Sequence, residues 1–319
     1  MSHLLSLARW ARSLRPQDVP ADVLRLARVQ NLAFAKHYGQ ALASAEPAPG
    51  GELRHVDRAT QRFGFGESAR LHLTNEIYAK ASYEWAARLP SPEEVFGDAV
   101  LVLDNLELVP ETSHNLNAGV TLEGVTAAGA LALDLNAFVR EASDLIVLLG
   151  TDRSFTYYNV YGARGVGLEG ATGWTSPGAW VALDLNASWL DFRNTSTEGT
   201  FGAYAGDRIP NRPWLFANAT MTLAVSALAG PKDRLSLDWY TRYVHGYYRG
   251  WESVGLAAFK QMVPAQLTHT AALTYAVTGD RTRVSGSVEI QNLTDAPTYD
   301  FFGVQRPGRA VFGKLTLTR

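Results

Sequence analysis

Cysteine is absent from this chain of 319 residues. Its absence excludes disulfide bonds, thiol catalysis and metal sites built from thiolates. The chain also lacks any run of about eighteen consecutive apolar residues, so a transmembrane helix is excluded. The formal net charge is only -2 at pH 7. The sequence therefore gives no electrostatic reason to expect nucleic acid as a partner.

A recognisable export signal is also missing from the first residues. Residues 2–15 are predicted to form a small terminal helix, because apolar residues recur there at helical spacing. Arg9 and Arg12 interrupt that apolar stripe and no small-residue cleavage site follows, so we do not interpret the segment as a signal peptide. Residues 1–66 are expected to form a helical or irregular segment with a candidate first strand at residues 30–37.

What the chain does contain is alternation of apolar and polar residues, from about residue 69 to its end. In the row Leu131–Val139 the apolar residues alternate with Asp134 and Asn136, and the row Leu215–Val225 alternates with asparagine and threonine in the same way. Such alternation, bounded by turn-forming residues, is typical of β-strands with one apolar and one polar face. We count about ten or eleven such strands.

Strand length separates two fold classes that share this pattern. A strand of a soluble β-sandwich averages about five or six residues, whereas a membrane-spanning strand needs about nine to eleven. Most of the rows reach the longer figure. The predicted fold is therefore all-β, an antiparallel transmembrane β-barrel with a short helical N-terminal segment, and a soluble β-rich binding domain is the alternative.

Aromatic residues near the predicted strand ends support the membrane interpretation. Tryptophan and tyrosine favour membrane interfaces, because their rings are apolar and their N–H or O–H groups are polar. Short connections such as Gly230–Asp233 alternate with longer ones such as residues 194–212, which is how outer-membrane barrels are built. We predict an interfacial girdle formed by Trp189, Trp214, Trp239, Tyr243, Tyr247 and Trp251.

Several short motifs follow one another in a fixed order along the chain. They occupy residues 80–84, 88–97, 106–115, 138–146, 158–170, 209–213, 292–295 and 307–309. Each motif alone is weakly specific, but their order and spacing across residues 67–319 resembles the carboxy-terminal part of the β-barrel of TonB-dependent outer-membrane receptors. The motif positions are Tyr83, Arg88, Pro90, Glu94, Pro110, Glu111, Asn292, Asp295, Pro307, Gly308 and Arg309.

The resemblance implies a location in the cell outer membrane, in contact with its lipid, and a barrel of about 22 strands around a plug. It also implies uptake of a scarce ligand, such as an iron–siderophore complex or cobalamin, energised by an inner-membrane coupling complex. The plug, the coupling box and about half of the strands are not found in this sequence. Arg319 also stands where the family usually ends in an aromatic residue. We therefore expect a partial barrel, with a truncated non-transporting remnant or a split-gene half as alternatives.

The sequence offers no catalytic constellation, so it predicts neither an enzyme nor a cofactor. Asp104, Glu107 and Glu111 lack metal-ligand spacing, so no metal site is predicted. His245 and His269 fall on the apolar faces of their predicted strands, which favours a girdle or packing role.

The candidate ligand contacts are Phe201, Tyr204 and Arg208. They lie in a long connection that we assign to the outer face of the barrel. Aromatic rings stack on planar chelates, and arginine pairs with their anionic oxygens. Ordinary packing within the connection is the alternative interpretation of the same residues.

Overall fold

The computed structural model describes residues 29–47, 53–98, 100–150, 154–255 and 262–319. The helix predicted at residues 2–15 lies outside these ranges. Within them the regular secondary structure is almost entirely β-strand, with one short helix, α1, at Pro92–Phe96. No helix in the described part of the chain is long and apolar enough to cross a membrane.

The strands are numbered in chain order. Two short 3-10 turns, at Pro177–Ala179 and Gly202–Tyr204, interrupt the connections between them. The strands are β1 Val29–Pro47, β2 Leu53–His72, β3 Ile77–Arg88, β4 Val102–Leu103, β5 Glu111–Thr126, β6 Gly129–Gly150, β7 Phe155–Thr175, β8 Val181–Asn194, β9 Leu215–Ser226, β10 Asp233–Val244, β11 Tyr247–Tyr248, β12 Met262–Val263, β13 Gln266–Thr278, β14 Arg283–Gln291 and β15 Ala310–Thr318.

One sheet of 13 strands contains nearly all of them, and its strand order follows the chain order. The long strands pair antiparallel with their neighbours, β4 pairs parallel with β7, and β11 and β12 form a separate pair. Within the described ranges β1 and β15 do not pair with each other, so the sheet is open at both edges. The predicted fold, an all-β antiparallel sheet forming a partial barrel, is confirmed.

The first two strands enlarge the sheet beyond the strands that alternation predicts. β1 and β2 pair from Val29↔Leu71 to Pro47↔Leu53. The candidate first strand at residues 30–37 lies within β1, whereas the sequence predicts the rest of residues 1–66 to be helical or irregular. Alanine, arginine and glutamine interrupt any apolar row in these strands, so period-two alternation does not mark them. The boundary expected between residues 66 and 67 falls inside β2, and the division into two segments stays a prediction.

The two ends of the sheet differ in the length of their connections. At one end, which we call the turn end, residues 73–76, 127–128, 176–180, 227–232 and 279–282 join neighbouring strands. At the opposite end, the loop end, lie the long connections. They comprise residues 89–110, 195–214, 245–265 and 292–309. Short connections thus alternate with long ones along most of the chain, as predicted.

Each long strand of the sheet presents an apolar face and a polar face. On the apolar face Leu131, Leu135 and Val139 are 42%, 51% and 40% exposed, and Val225 is 55% exposed. Exposure at this level means that no second protein layer covers these rows within the described part of the chain. The polar face carries hydroxyls, amides and charges around an open cavity of about 930 Å³. Such two-sidedness is typical of a wall between lipid and a watery interior.

A small hydrophobic core lies at the loop end, where β6 and β7 extend beyond Asp144. The backbone of Asp144 is left-handed, with φ 54°. Beyond it Leu145 and Val147 enter one cluster and Ile146 enters another, so the extension buries both faces and its sequence is continuously apolar. The first cluster is Ala142, Leu145, Val147, Val160, Ala163, Phe192, Ile209 and Trp251, and the second is Val95, Leu108 and Ile146.

Candidate functional site

An arginine-rich cavity of about 430 Å³ lies at the loop end, and we call it the arginine cavity. Its charged lining comes from the end of β3, helix α1, the start of β5, the middle of β6 and the 195–214 connection. Aromatic rings from β7 and from the last connection complete it. The residues concerned are Arg88, Glu94, Glu111, Arg140, Arg212, Tyr157 and Phe301.

Helix α1 fixes the position of Glu94 in this cavity. The backbone N–H of Glu94 donates to the Ser91 hydroxyl at 3.3 Å, and the backbone N–H of Ser91 donates to the Glu94 carboxylate at 2.8 Å. This reciprocal pair is a capping box, and Pro92 at the start of the helix supports it. Arg88 donates to both Glu94 carboxylate oxygens, at 2.8 and 2.9 Å. The motif residues Arg88 and Glu94 therefore form a fixed corner of the cavity.

Glu111 is the buried centre of the charge network, with only 2% of its surface exposed. Its carboxylate accepts hydrogen bonds from Nη2 of Arg88 at 3.2 Å, from Arg140, and from the backbone N–H of Ile146 at 3.1 Å. The sheet register creates this contact, because Arg88 and Glu111 lie directly opposite each other on β3 and β5. A buried carboxylate needs paired charge and hydrogen bonds, and Glu111 receives both.

Arg212 gives the cavity an additional cation. Among the described residues, no carboxylate lies within ion-pair distance of Arg212, and its guanidinium carbon lies 5.0 Å from the centroid of the Phe192 ring. Burial lowers the pKa of Arg212, and the positive charge of Arg140 lowers it further. Three guanidinium groups against two carboxylates leave the cavity lining with a formal excess of positive charge.

Two buried polar atoms near this lining lack a hydrogen-bond partner within the described ranges. They are Nε of Arg140 and Oδ1 of Asn211. The amide of Asn211 meanwhile donates to the backbone carbonyl of Leu148 at 3.1 Å. Guanidinium donors pair strongly with carboxylate, phosphate and similar anionic oxygens. The unpaired Nε–H of Arg140 and the excess of guanidinium groups give the arginine cavity the chemistry of a site for an anionic ligand, whereas Oδ1 of Asn211 is an acceptor and would pair with a donor.

The predicted ligand contacts Phe201 and Tyr204 lie together in an aromatic cluster at the loop end. The ring centroid of Tyr204 is 5.2 Å from that of Trp251, and the Phe201 centroid is 5.6 Å from Trp251 and 5.8 Å from Tyr158. Both side chains are half-buried against the hydrophobic core. Their rings are therefore engaged in packing with each other and with the core.

The predicted ligand contact Arg208 lies against different partners. It donates to Asp191 at 2.9 Å, approaches Glu252 at 3.6 Å and stands 5.2 Å above the Trp214 ring. With Trp214 and His245 it lines a second cavity of about 360 Å³. The structure thus brings Phe201 and Tyr204 together and places Arg208 in a separate ion-pair group.

The predicted girdle residues fall into two groups. Three of them, Trp189, Trp239 and Tyr243, extend the apolar face of the sheet, since their register partners are the apolar residues Leu215, Met221 and Ala217. Trp214 packs beneath Arg208. Tyr247 and Trp251, by contrast, are each only 8% exposed. These two residues follow β10 within a long connection that folds onto the sheet, so they pack inside the protein.

The remaining motif residues build connections. Asn292 and Asp295 are left-handed, with φ 48° and 55°, and Asp295 accepts a hydrogen bond from the backbone N–H of Arg309 at 2.7 Å. This bond ties the two ends of the 292–309 connection together, and Pro307 and Gly308 lie beside it. Tyr83 lies at the sheet surface, 2.8 Å from Nδ1 of His114. Pro90 and Pro110 lie at the two ends of the 89–110 connection, within it.

Sequence reasoning missed Arg140 and Arg212 as site residues. Arg140 follows an apolar row within β6, and Arg212 lies in a Pro-rich stretch of the 195–214 connection. A charged residue directly after the apolar row Leu131–Val139 was the available signal for Arg140. Its meeting with Glu111 depends on strand register, and the position of Arg212 depends on how a long connection folds back.

The chain is similar to known receptors over most of its length. A family model described as the β-barrel of TonB-dependent receptor-like proteins matches residues 40–303. None of the curated protein sequences matches the chain.

Solved structures with the same fold belong to metal and siderophore receptors. The copper transporter OprC superposes with a TM-score of 0.66 at 17% identity, covering 90% of this chain and 45% of that one. The ferric preacinetobactin receptor BauA from Acinetobacter baumannii gives 0.64 at 16% identity, with 91% and 40% covered. The ferric yersiniabactin uptake receptor FyuA from Yersinia pestis gives 0.62 at 18% identity, with 90% and 41% covered. The chain spans less than half the length of each of these proteins.

Proposed function

Because the chain belongs to the family of TonB-dependent receptor-like β-barrels, we propose that it forms the barrel wall and outer connections of an outer-membrane receptor. Such a receptor takes up a scarce small-molecule ligand, and the proposed ligand is an anionic metal chelate of the siderophore–iron type. The proposed partners are the outer-membrane lipid along the apolar face and an inner-membrane energy-coupling complex.

The arginine cavity is the observation that carries this proposal. It lies at the loop end, among the long connections, and its lining has an excess of guanidinium groups. Siderophore chelates present carboxylate, hydroxamate or catecholate oxygens, which guanidinium groups bind strongly. The similar structures, a copper transporter and receptors for ferric preacinetobactin and ferric yersiniabactin, agree with a metal-containing ligand.

Phe201, Tyr204 and Arg208 are proposed as outer contacts for the same ligand. Tyr204 and Phe201 already present stacked rings next to Trp251, and a planar chelate can extend such a stack. Arg208 keeps part of its surface in solvent while it pairs with Asp191. In this proposal these residues meet the ligand first, and the arginine cavity holds its anionic groups.

A binding measurement on the full chain tests the proposal. The chain, in neutral detergent micelles, is titrated with a ferric catecholate, a ferric hydroxamate, cobalamin and copper(II), and a dissociation constant is measured for each. We expect a ferric chelate to bind, and we expect Arg212→Gln to weaken that binding about tenfold, since a charge-assisted hydrogen bond contributes about 1.5–3 kcal/mol.

Arg283→Gln is the matched control. Arg283 is exposed at the turn end, and its substitution removes the same charge as Arg212→Gln does. Its affinity should equal that of the unchanged chain. Failure of every chelate to bind, or equal affinities of the Arg212→Gln variant and the unchanged chain, would rule out the arginine cavity as the ligand site.

A second candidate function is a wall segment that completes its barrel with another polypeptide. The open edges of β1 and β15 favour it, because unpaired strand edges in a membrane present backbone groups that need partners. Since the chain has no cysteine, single cysteines introduced at Ala33 and Gly313 report on this directly. Disulfides between copies would support pairing of two chains, and a disulfide within one copy would show that β1 and β15 close on each other.

A further inference from the structure

Another cavity, of about 740 Å³, adjoins the arginine cavity at the loop end. The two cavities are neighbours, because Phe301 and Asn211 line both of them. Each has the size of an ordinary small-ligand pocket, roughly 300–1,000 Å³. We call the larger one the tyrosine cavity, after the tyrosines in its lining, which are Tyr240, Tyr243, Tyr247 and Tyr299.

The tyrosine cavity is also lined by arginines that lack a counter-charge. Arg242 lies near the loop end of β10, and Arg306 lies in the 292–309 connection. Among the described residues, no carboxylate lies within ion-pair distance of either guanidinium. Asp300 supplies the acid of this lining, and its Oδ1 atom accepts the backbone N–H groups of Phe302 and Val304, both at 2.9 Å. The lining therefore has a formal excess of positive charge, as the lining of the arginine cavity does.

Phe302 anchors the tip of the 292–309 connection. Its ring packs edge-on against Phe155 of β7, with 4.8 Å between the ring centroids. Its backbone carbonyl accepts a hydrogen bond from Nη1 of Arg249, in the 245–265 connection. Gly303 turns the chain directly afterwards, with φ 80°, and a Cβ atom added there would lie 3.0 Å from the same Nη1 atom. Contacts with two other segments of the chain thus hold the tip in place.

The anchored tip presents the ring of Phe301 at the junction of the two cavities. The ring centroid of Phe301 lies 4.0 Å from that of Phe302, yet Phe301 itself is 46% exposed. Arg212 lines the cavity on one side of it, and Arg242 and Arg306 line the cavity on the other side. An aromatic ring held in place and left exposed is available for stacking against another planar ring. Phe301 therefore combines a stacking surface with guanidinium groups on both sides.

We propose that Phe301 selects ferric chelates of the catecholate type, and that such a chelate occupies both cavities at once. The bidentate arms of a chelate diverge from its metal, so two arms can enter the two cavities with Phe301 between them. A catecholate arm is a ring and stacks on Phe301, whereas a hydroxamate or carboxylate arm offers no ring. A ferric tris-catecholate is also strongly anionic, whereas a ferric tris-hydroxamate is neutral, so the unpaired guanidinium groups favour the catecholate. The inference rests on the proposed function and names the ligand class and a second subsite for it.

The test measures dissociation constants of three probes for the full chain in neutral detergent micelles. The probes are a ferric tris-catecholate, ferric citrate, which is anionic but has no ring, and a neutral ferric tris-hydroxamate. We expect the tris-catecholate to bind most tightly. Phe301→Leu keeps an apolar side chain but removes the ring, so it should weaken tris-catecholate binding about fivefold and leave the affinity for ferric citrate unchanged. Phe301→Tyr keeps the ring and should keep the affinity for the tris-catecholate.

Phe312→Leu is the matched control for the ring. Phe312 is 50% exposed on the polar face of β15, opposite Glu289, and it lines neither cavity. Its substitution should leave all three affinities unchanged. Occupation of the tyrosine cavity is tested with Arg242→Gln, which should weaken tris-catecholate binding about tenfold, as Arg212→Gln should in the arginine cavity.

Three results would overturn the inference and leave the receptor function in place. They are an unchanged tris-catecholate affinity in Phe301→Leu, an equal loss of ferric citrate and tris-catecholate affinity in that variant, and an unchanged affinity in Arg242→Gln. In each case a ferric chelate still binds and Arg212→Gln still weakens it, so the ligand is confined to the arginine cavity or does not stack on Phe301. Failure of every chelate to bind, or no effect of Arg212→Gln, instead removes the proposed function and this inference with it.

Discussion

Lys80 on β3 forms an ion pair with Asp134 on β6 at 2.7 Å, although β5 lies between the two strands. The lysine side chain crosses β5 at Gly119, which is its direct register partner. A Cβ atom at Gly119 would lie 2.8 Å from Cε of Lys80 and 2.5 Å from the carbonyl oxygen of Leu135. Thr121 completes the group by donating to Asp134 at 2.6 Å. The absence of a side chain at Gly119 therefore leaves room for an ion pair that spans three strands on the polar face.

Substitution of Gly119 tests this crossing. We expect Gly119→Ala to lower the free energy of unfolding by about 1–3 kcal/mol, because the new methyl group forces the backbone of β6 and the Lys80 side chain apart. Urea unfolding of the full chain in detergent micelles, followed by tryptophan fluorescence, measures the change. Gly286→Ala is the control, since nothing lies within 4 Å of its added Cβ. Equal losses in the two variants would show that the Lys80 crossing is unimportant.

Glu111→Gln removes the buried charge that Arg88 and Arg140 share. Loss of this charge leaves Arg140, whose side chain is 35% exposed, without its counter-charge, whereas Arg88 keeps its ion pair with Glu94. We expect the free energy of unfolding to fall by about 2–3 kcal/mol, measured as above. Glu107→Gln removes an exposed acid from the preceding 89–110 connection and should change stability by less than about 0.5 kcal/mol. A loss no larger than in this control would contradict the role of Glu111.

At Asp144 the relative stability of the glycine and alanine variants should be the reverse of that at its neighbour Ser143. The backbone of Asp144 is left-handed, where glycine is free of strain and alanine costs about 1 kcal/mol or more. Asp144→Gly should therefore be more stable than Asp144→Ala in urea unfolding. Ser143 is an exposed neighbour at an ordinary strand position, so Ser143→Ala should be more stable than Ser143→Gly. The same order at both positions would mean that the left-handed turn at Asp144 does not form.

Asp98 makes the 89–110 connection sensitive to acid. Its carboxylate accepts backbone hydrogen bonds from Val100, Leu101 and Val102, each at 2.8 Å. The bond from Val102 contributes most to lowering the pKa of Asp98 below its ordinary value of 3.8. A lowered folded-state pKa stabilises the connection above about pH 3.8 and loses that effect as the pH falls through the folded pKa.

Hydrogen exchange at the three amide groups checks this expectation. Exchange, corrected for its intrinsic pH dependence, should accelerate below about pH 3.8 in the unchanged chain. In Asp98→Asn, whose amide oxygen still accepts but does not titrate, it should be faster at neutral pH and lack the acidic step. Protection that is independent of pH in the unchanged chain would exclude ionised Asp98 as the acceptor.

The faces of the wall could be predicted from sequence because alternation is a local property. Leu131 and Val139 occupy one face whatever strand lies beside them, since successive side chains point to opposite sides. The loop end could not be predicted in this way. Arg212 reaches the arginine cavity only after a long connection folds back, and Trp251 packs against Phe201 and Tyr204 for the same reason. The continuously apolar stretch after Asp144 indicates that both of its faces are buried, but it does not predict which two segments of the chain cover them.

Since strand order follows chain order, the structure has a kinetic consequence. From β1 to β10 each long strand finds its partner in the next long strand of the chain, so most backbone pairing closes only small segments of polypeptide. A barrel wall of this kind can grow by successive addition of hairpins onto an already paired edge, without a search for distant partners. We expect the addition of β13 onto β10 to be the slowest. Residues 245–265 separate these two strands in sequence, so a longer segment of chain must close before they pair.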